Sequence, residues 1–339
     1  MELRRLGNSG LKVSSLCLGA MMFGDRTDAR EASRIVGMAR DAGVNFIDTA
    51  DAYTKGESER ITGKLIAKDR DSWVLATKVN GVMGPGPNER GLSRKWIMQE
   101  LDASLRRLGT DYVDIYYMHR DDLTTPFEES IGAMADLIRA GKVRYWAFSN
   151  FLAWKIGFLV ATAERIGAPR PIAAQPCYNA VTRLAEADYL PACAHYGIGV
   201  VPYSPLARGV LTAKYTPGQN PAKGTRAGRN DPRLMQTEWR EPSLVIAQKI
   251  AKRAAKRGMS AADFAMAWVL RNPLISSVIA GPRTAEQWQA YIDALGHTLD
   301  ADDEAFIDKL VPPGCASDPT YRDPQDSVEG RPVGATKAH

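Results

Sequence analysis

Four residues of types that can move a proton lie at or just after the ends of strongly apolar segments. Asp48, Lys78 and His119 each end such a segment, and Tyr53 follows Asp48 by five positions. A phenol with a pKa near ~10 is a weak acid at neutral pH, and an ammonium beside it favours the phenolate and lowers that pKa. We expect Asp48 to keep Lys78 protonated, and His119 to orient a carbonyl oxygen towards the Tyr53 hydroxyl. Together they predict protonation of a developing alkoxide, for which a bound cofactor must supply the electrons.

Each residue also has a plainer structural interpretation, and Tyr53 by itself fits an ordinary loop aromatic. A lone His119 fits a satisfied buried histidine, and Asp51 fits a solvated or turn residue. Ser149 and Asn150 fit turn formers or helix caps. Lys78 fits such an interpretation poorly, because a Lys that follows VLAT is drawn into apolar surroundings and needs a carboxylate to stay charged.

Eight short apolar segments alternate with longer amphipathic ones, which is the pattern of parallel strands joined by helices. They are residues 15–20, 45–50, 73–78, 113–119, 143–150, 171–175, 198–204 and 276–281. Eight such units favour an α/β fold of the (β/α)8 TIM barrel type over an open doubly wound sheet. The open sheet would carry GxGxxG after its first strand, where this chain has LGAMMFG. All strands of a barrel end on one rim, so the polar residues that end them converge there.

We expect one domain over residues 1–339, with three additions to the minimal barrel. They are an N-terminal β-hairpin at 1–14, a long loop at 206–242 after the seventh strand, and an irregular or partly disordered tail at 312–339. The middle addition is rich in Gly, Pro and Arg and follows a strand end, so it can clamp a ligand.

Composition and missing motifs exclude several classes of protein. The chain is 45% hydrophobic and 24% charged, near the globular average, and its +5 charge has no run of five like charges. We therefore expect no nucleic-acid partner. Without an apolar leader or an 18-residue apolar segment, the chain is expected to be cytoplasmic with no membrane partner. Four distant cysteines without a CxxC pair argue against disulfides and structural zinc, and GxxxxGK and GxSxG motifs are absent.

Ordered motifs over residues 1–298 resemble the aldo-keto reductase superfamily. They are LGAMMFG (18–24), FIDTADAY (46–53), ATK (76–78), YMH (117–119), AFSN (147–150), QPCYN (175–179), PYSPLARGVLTAKY (202–215) and GPRTAEQ (281–287). The pattern is similar to the branch with bacterial reductases and voltage-gated potassium channel β subunits. The resemblance implies that Asp48, Tyr53, Lys78 and His119 form a catalytic tetrad with Tyr53 as the general acid. His119 replaces the Asn of channel β subunits, which favours an active enzyme.

The resemblance also implies NADP(H) as cofactor, bound extended and without a Rossmann fold. Positions that match the nicotinamide end, where an aromatic stacks on the ring, are Ser149, Asn150, Gln175 and Tyr203. Those on the pyrophosphate side are Ser204, Leu206 and Lys214. Those at the adenosine end, where a guanidinium can pair with the 2′-phosphate, are Gly281, Arg283 and Gln287.

Three loop arginines and one departure from the family pattern also bear on the cofactor. Arg226, Arg229 and Arg233 can add to phosphate binding, although each alone fits ordinary solvated charge. Relatives usually show Glu-Asn where this chain has Ala290 and Tyr291. We therefore expect Tyr291 to stack on the adenine, and the cofactor to bind more weakly than the family suggests.

The leading function is reversible, NADPH-dependent reduction of an aldehyde or ketone, with a small-molecule carbonyl as substrate. An NADP(H)-binding redox sensor or regulatory subunit with little turnover is the main alternative. A Schiff-base barrel enzyme with Lys78 as nucleophile is a third, against which Tyr53 and His119 argue. We expect Met22, Phe23 and Met83 to form an apolar pocket wall. The pattern is compatible with a monomer or a homo-oligomer.

Overall fold

A closed parallel sheet forms the centre of the structure, a computed structural model that describes residues 1–325. The strands, of which the first two form an antiparallel hairpin, are β1 (Leu3–Arg5), β2 (Lys12–Ser14), β3 (Leu16–Gly19), β4 (Phe46–Asp48), β5 (Val74–Val79), β6 (Val113–Met118), β7 (Val143–Ser149), β8 (Ala173–Gln175), β9 (Gly199–Val200) and β10 (Val278–Ala280). Strands β3 to β9 pair in chain order, and β10 pairs with β3. The barrel closes where Ile279 N donates to Pro202 O at 3.0 Å and Ser276 N donates to Val200 O at 2.9 Å. The predicted (β/α)8 fold with its N-terminal hairpin is confirmed.

Helices surround the barrel. They are α1 (Ala29–Asp41), α2 (Glu57–Ile66), α3 (Arg94–Leu108), α4 (Phe127–Arg139), α5 (Ala153–Arg165), α6 (Tyr189–Tyr196), α7 (Pro232–Gln236), α8 (Glu241–Lys256), α9 (Ala261–Arg271), α10 (Ala285–Ala294) and α11 (Ala301–Leu310). Side-chain caps set several starts: Asp28 accepts from Glu31 N ahead of α1, and Thr284 accepts from Gln287 N ahead of α10. The second cap fixes the backbone beside Arg283, a predicted cofactor residue. Within residues 1–325, no helix has the length and apolar character needed to cross a bilayer.

The alternating faces of the strands build two apolar layers. The outer layer, between sheet and helices, is the larger and includes Leu18, Ile47 and Leu75. The inner layer fills the barrel with residues such as Phe46 and Tyr117. The barrel interior is therefore packed, and chemistry is confined to its rim.

The hairpin β1–β2 seals the amino-terminal end of the barrel. Leu6 and Val13 are fully buried within the inner layer. At the contact with the strand region before β9, Gly7 has φ +56°, and a Cβ there would lie 2.4 Å from the backbone N of Gly199 and 2.5 Å from the O of Gly197. Glycine is therefore required at position 7, because the backbones approach too closely for any side chain.

Two predicted segments differ in detail from their expectation. The run expected at 198–204 is a strand only at Gly199–Val200, because Pro202 has no N–H to extend the ladder. The segment 206–242 is not one continuous loop: it contains tight helical turns at 207–212 and 227–229, helix α7 and the start of α8. The tail is irregular as predicted over 312–325. Residues 326–339 of the predicted tail lie outside the described residues.

Candidate active site

Three neighbouring strands present the proton-transfer residues at one rim. Asp48 ends β4, Lys78 lies near the end of β5, and His119 directly follows β6. Tyr53 begins a tight turn after β4 in which Thr54 and the next two residues take left-handed conformations. Such backbone strain is found where the fold must hold one side chain in place.

Lys78 lies at the centre of the tetrad and is completely buried. Its Nζ donates to Oδ1 of Asp48, to the carbonyl oxygen of Thr49 at 2.7 Å and to the hydroxyl oxygen of Tyr53 at 3.3 Å. The same ammonium lies 4.8 Å from the centroid of the Tyr53 ring. One cation therefore joins the carboxylate to the phenol, as the sequence predicted.

The pKa values of these groups follow from burial and from one another. Burial by itself lowers the pKa of Lys78, but the charge of Asp48 and the contact with Tyr53 outweigh it, so the pKa is raised. Burial raises the pKa of Asp48 against the opposing effects of Lys78 and Gln175. For Tyr53, burial raises the pKa more than Lys78 lowers it. The ammonium acts in the expected direction, but the net shift is opposite to the predicted lowering because the phenolate is poorly solvated.

His119 lies beside Tyr53, with ring centroids 5.7 Å apart and the planes at 81°. Burial lowers its pKa well below the usual value, and the charges of Lys78 and Arg120 lower it further. At neutral pH the imidazole is therefore uncharged and can donate one N–H to an oxygen in the cavity.

A chain of hydrogen bonds links Asp48 to the predicted nicotinamide positions. Gln175 Nε2 donates to Asp48 Oδ2 at 3.0 Å, and Ser149 Oγ donates to the carbonyl oxygen of Gln175 at 2.7 Å. Asn150 Nδ2 donates to Ser149 Oγ at 3.0 Å and to the carbonyl oxygen of His119 at 2.9 Å. Tyr203 OH donates to Asn150 Oδ1 at 2.8 Å. These side chains form a connected wall beside the tetrad.

A cavity of about 570 Å³ opens above this wall. It is lined by Tyr53, His119 and all ten residues matched to the cofactor, namely Ser149, Asn150, Gln175, Tyr203, Ser204, Leu206, Lys214, Gly281, Arg283 and Gln287. Ala290 and Tyr291 also line it, and so do the three loop arginines Arg226, Arg229 and Arg233. Residues separated by more than 230 positions in the chain thus share one cavity.

The predicted apolar pocket wall is only partly present. Met22 lines the cavity, together with Met21. Phe23 is fully buried in the outer apolar layer, and Met83 packs against that layer outside the lining of the cavity. Their apolar character therefore serves packing, a role that hydrophobicity alone does not distinguish from substrate contact.

Positive charge dominates the cavity. Its three carboxylates are already paired: Asp48 with Lys78, Asp231 with Arg226 at 2.9 Å, and Asp25 with a neighbouring arginine at 3.7 Å. Cations that line it without a carboxylate partner in residues 1–325 are Arg120, Arg208, Lys214, Arg229 and Arg283. The cavity is suited to an anion.

One end of the cavity concentrates these cations. Burial lowers the pKa of Lys214, and the charges of Arg283, Arg226 and Arg229 lower it further. A cation whose pKa is lowered by neighbouring cations is stabilised by phosphate, which accepts charge-assisted hydrogen bonds.

Asp51 is not the solvated residue that the sequence suggested. It is fully buried, its Oδ1 accepts from the backbone N of Ala52 at 2.6 Å, and its Oδ2 has no partner among the described residues. Burial raises its pKa to about 7, with further contributions from Glu100 and Glu59. A carboxyl group without a cation partner therefore lies two residues from Tyr53.

Sequence reasoning missed Arg120, Arg208 and Gln325, which all line the cavity. Arg120 Nη1 donates to the carbonyl oxygen of Gln325 at 3.0 Å, and Nη2 donates to its Oε1 at 2.6 Å. Arg233 pairs with Asp323 at 2.7 Å. The tail residues Asp323 and Gln325 thus contact cavity residues from the far end of the chain, which no local pattern signals.

The sequence of this chain is similar to those of several known proteins. The sequence profile of the aldo/keto reductase family matches residues 15–312. A probable voltage-gated potassium channel subunit beta of Arabidopsis thaliana is 40% identical over 300 residues, which cover 87% of this chain and 91% of that protein. The uncharacterized oxidoreductase YrpG of Bacillus subtilis (strain 168) is 37% identical, with 95% and 99% covered. The L-glyceraldehyde 3-phosphate reductase of Escherichia coli (strain K12) is 33% identical, with 93% of each chain covered.

Proposed function

Because this chain belongs to the aldo/keto reductase family, which comprises oxidoreductases of carbonyl compounds, we propose that it reduces an aldehyde or ketone to the alcohol with NADPH. In this proposal Tyr53 gives the proton, and the reaction is reversible. The observation that carries it is the buried Lys78 ammonium, which contacts both the Asp48 carboxylate and the Tyr53 hydroxyl at the base of a cationic cavity.

Tyr53 is protonated before the reaction and gives its proton to the carbonyl oxygen of the substrate. Its raised pKa keeps the hydroxyl protonated at neutral pH. As negative charge grows on the carbonyl oxygen, the proton moves from Tyr53 to that oxygen, and the phenolate that remains is stabilised by the Lys78 ammonium. Asp48 keeps Lys78 charged throughout, which argues against Lys78 as an imine-forming nucleophile, a role that requires the neutral amine.

His119 positions the substrate in this mechanism. A neutral imidazole edge-on to Tyr53 donates an N–H to the carbonyl oxygen without competing for the proton. The carbonyl oxygen is thereby held against both the Tyr53 hydroxyl and the imidazole. Bound NADPH would supply the hydride that reduces the carbonyl carbon.

The residues of this chain fit NADP(H). The cavity volume lies in the range of cofactor sites, roughly 300–1,000 Å³. The amide groups of Asn150 and Gln175 suit a carboxamide, and the ring of Tyr203 suits a planar heterocycle. Lys214, Arg229 and Arg283 would hold phosphate groups, and Tyr291 would stack on the adenine.

The test is reduction of 4-nitrobenzaldehyde by purified protein and NADPH, with 4-nitrobenzyl alcohol measured by chromatography. We expect Tyr53→Phe to lower kcat by about 10²- to 10⁴-fold, because the proton donor is removed. Tyr112→Phe is the matched control, since it removes a surface hydroxyl that bonds Asp71 at 2.8 Å. Full turnover by Tyr53→Phe would refute the assigned acid.

A redox-sensing or regulatory subunit is the second candidate. It is supported by the similarity to a protein named as a probable potassium channel subunit beta. For this function we expect tight NADPH binding with negligible turnover over a broad panel of aldehydes and ketones. Sustained turnover with Tyr53 dependence would instead favour the reductase.

A further inference from the structure

Arg120, the residue that follows His119 in the chain, lines the cavity. It has no carboxylate partner among residues 1–325. Its charge contributes to the lowered pKa of His119, so it acts on the reacting end of the cavity. The cations that depress the pKa of Lys214 are a separate group, Arg283, Arg226 and Arg229. Arg120 is therefore a positive charge near the tetrad that the phosphate-binding cluster does not include.

The guanidinium of Arg120 is already arranged for two oxygens. Two different nitrogens, Nη1 and Nη2, donate to the main-chain O and the side-chain Oε1 of Gln325. A carboxylate or phosphate also presents two oxygens to such a fork, and with its negative charge it binds more strongly than neutral carbonyls. Gln325 thus occupies the place of an anion with neutral groups.

We propose that the substrate is an anionic carbonyl compound, whose carboxylate or phosphate binds Arg120 in place of Gln325 while the carbonyl oxygen faces Tyr53 and His119. This rests on the proposed reductase function and specifies its substrate class. A cation that lacks a carboxylate partner at the rim raises the local concentration of anions. Because the two Gln325 oxygens are neutral, replacing them with the charged oxygens of an anion costs Arg120 little hydrogen-bond energy. The reduction itself would be unchanged: bound NADPH would supply the hydride to the carbonyl carbon, Tyr53 gives its proton to the oxygen, and the anion keeps its charge.

The test compares paired aldehydes that differ in charge. 4-Carboxybenzaldehyde and 4-nitrobenzaldehyde have nearly the same shape, with a planar pair of oxygens that is charged in the first and neutral in the second. Glyceraldehyde 3-phosphate and glyceraldehyde form the phosphate pair. For each pair the ratio of kcat/KM for the anion to kcat/KM for the neutral aldehyde is measured with NADPH.

We expect Arg120→Gln to lower this ratio by about 10- to 100-fold in at least one pair, mainly through a higher KM for the anion. Arg120→Lys keeps the charge but not the two-pronged hydrogen-bonding geometry, so its ratio should fall between those of the wild type and Arg120→Gln. Arg139→Gln, which removes a surface arginine paired with Asp136, is the matched control and should leave the ratio unchanged. The pair that responds identifies the anion as carboxylate or phosphate.

A second variant keeps Arg120 in place. Gln325→Glu puts a carboxylate of the chain itself on the guanidinium, so it should raise the KM for the anion by about tenfold without removing a cavity cation. Ratios within twofold of the wild-type value in Arg120→Gln, for both pairs, would overturn the inference while turnover of neutral aldehydes upholds the reductase. Absence of any alcohol product with the wild-type protein would overturn both.

Discussion

Gln175 Nε2 lies 3.0 Å from Asp48 Oδ2, while Lys78 takes Oδ1 of the same carboxylate. Both oxygens of Asp48 are thus engaged by donors on β8 and β5. Gln175 is also a predicted nicotinamide contact, so the group that would hold the cofactor also orients the carboxylate that charges Lys78. Cofactor binding and proton transfer would therefore be coupled through one buried amide.

Asp48→Asn should shift the pH dependence of turnover. Without the carboxylate, burial lowers the pKa of Lys78 unopposed by the charge that now raises it. The ammonium then loses its proton at lower pH, so the alkaline limb of the kcat profile moves to lower pH. At pH 7 we expect kcat to fall by about 10²-fold. An alkaline limb that stays in place, in a variant with unchanged circular dichroism, would contradict this role.

Asp51→Asn should remove a pH-dependent loss of stability. In the unfolded chain this carboxyl ionises near its usual 3.8, whereas in the folded protein it keeps its proton to about pH 7. The unfolded state therefore binds fewer protons between these values, and stability falls as pH rises through the window. The interval corresponds to about 4 kcal/mol.

Urea unfolding at pH 4, 6 and 8 checks this expectation. The variant should match the wild type at pH 4 and exceed it at pH 8. Asp111→Asn changes an exposed carboxylate and serves as control. Parallel stability curves for Asp51→Asn and the wild type would show that Asp51 is charged in the folded protein.

Arg283→Gln should discriminate between the two nicotinamide dinucleotides. Arg283 belongs to the cation group around Lys214 and has no carboxylate partner among the described residues. Loss of a charge-assisted contact to the 2′-phosphate should raise the Kd for NADPH by about 10- to 100-fold. The Kd for NADH, which lacks that phosphate, should change less than threefold. Calorimetric titration measures both Kd values. An equal rise in the Kd for NADPH and the Kd for NADH would mean that Arg283 contacts a part of the cofactor other than the 2′-phosphate.

Gly7→Ala should destabilise the barrel. The added Cβ would meet the backbone of Gly199 and Gly197 in a left-handed conformation, so the hairpin must shift. We expect a loss of about 2–4 kcal/mol in the free energy of unfolding. Gly10→Ala, in the same hairpin loop with open space around its Cβ, is the control and should stay within about 1 kcal/mol. Equal effects of the two would rule out the close approach as the cause.

Sequence patterns predict the strands of the barrel well, but they do not predict which residues distant in the chain pair with each other. The apolar segments identify every barrel strand, since burial on both faces leaves a continuous hydrophobic signal. The approach of Asp48 to Lys78 follows from the shared rim. The pairing of Arg120 with Gln325, 205 positions apart, has no local signal. The sequence also did not predict the burial of Asp51 and Phe23. Packing around a turn depends on neighbouring elements, which the periodicity of hydrophobic residues does not describe.

The β1–β2 hairpin covers the amino-terminal end of the barrel, and the residues that line the cavity lie at the opposite rim. Gln175 is buried beside Asp48, whereas Arg120 is half-buried and its partner Gln325 is exposed to solvent. We therefore expect a cofactor held by Gln175 to bind before a substrate held by Arg120, and to leave after it.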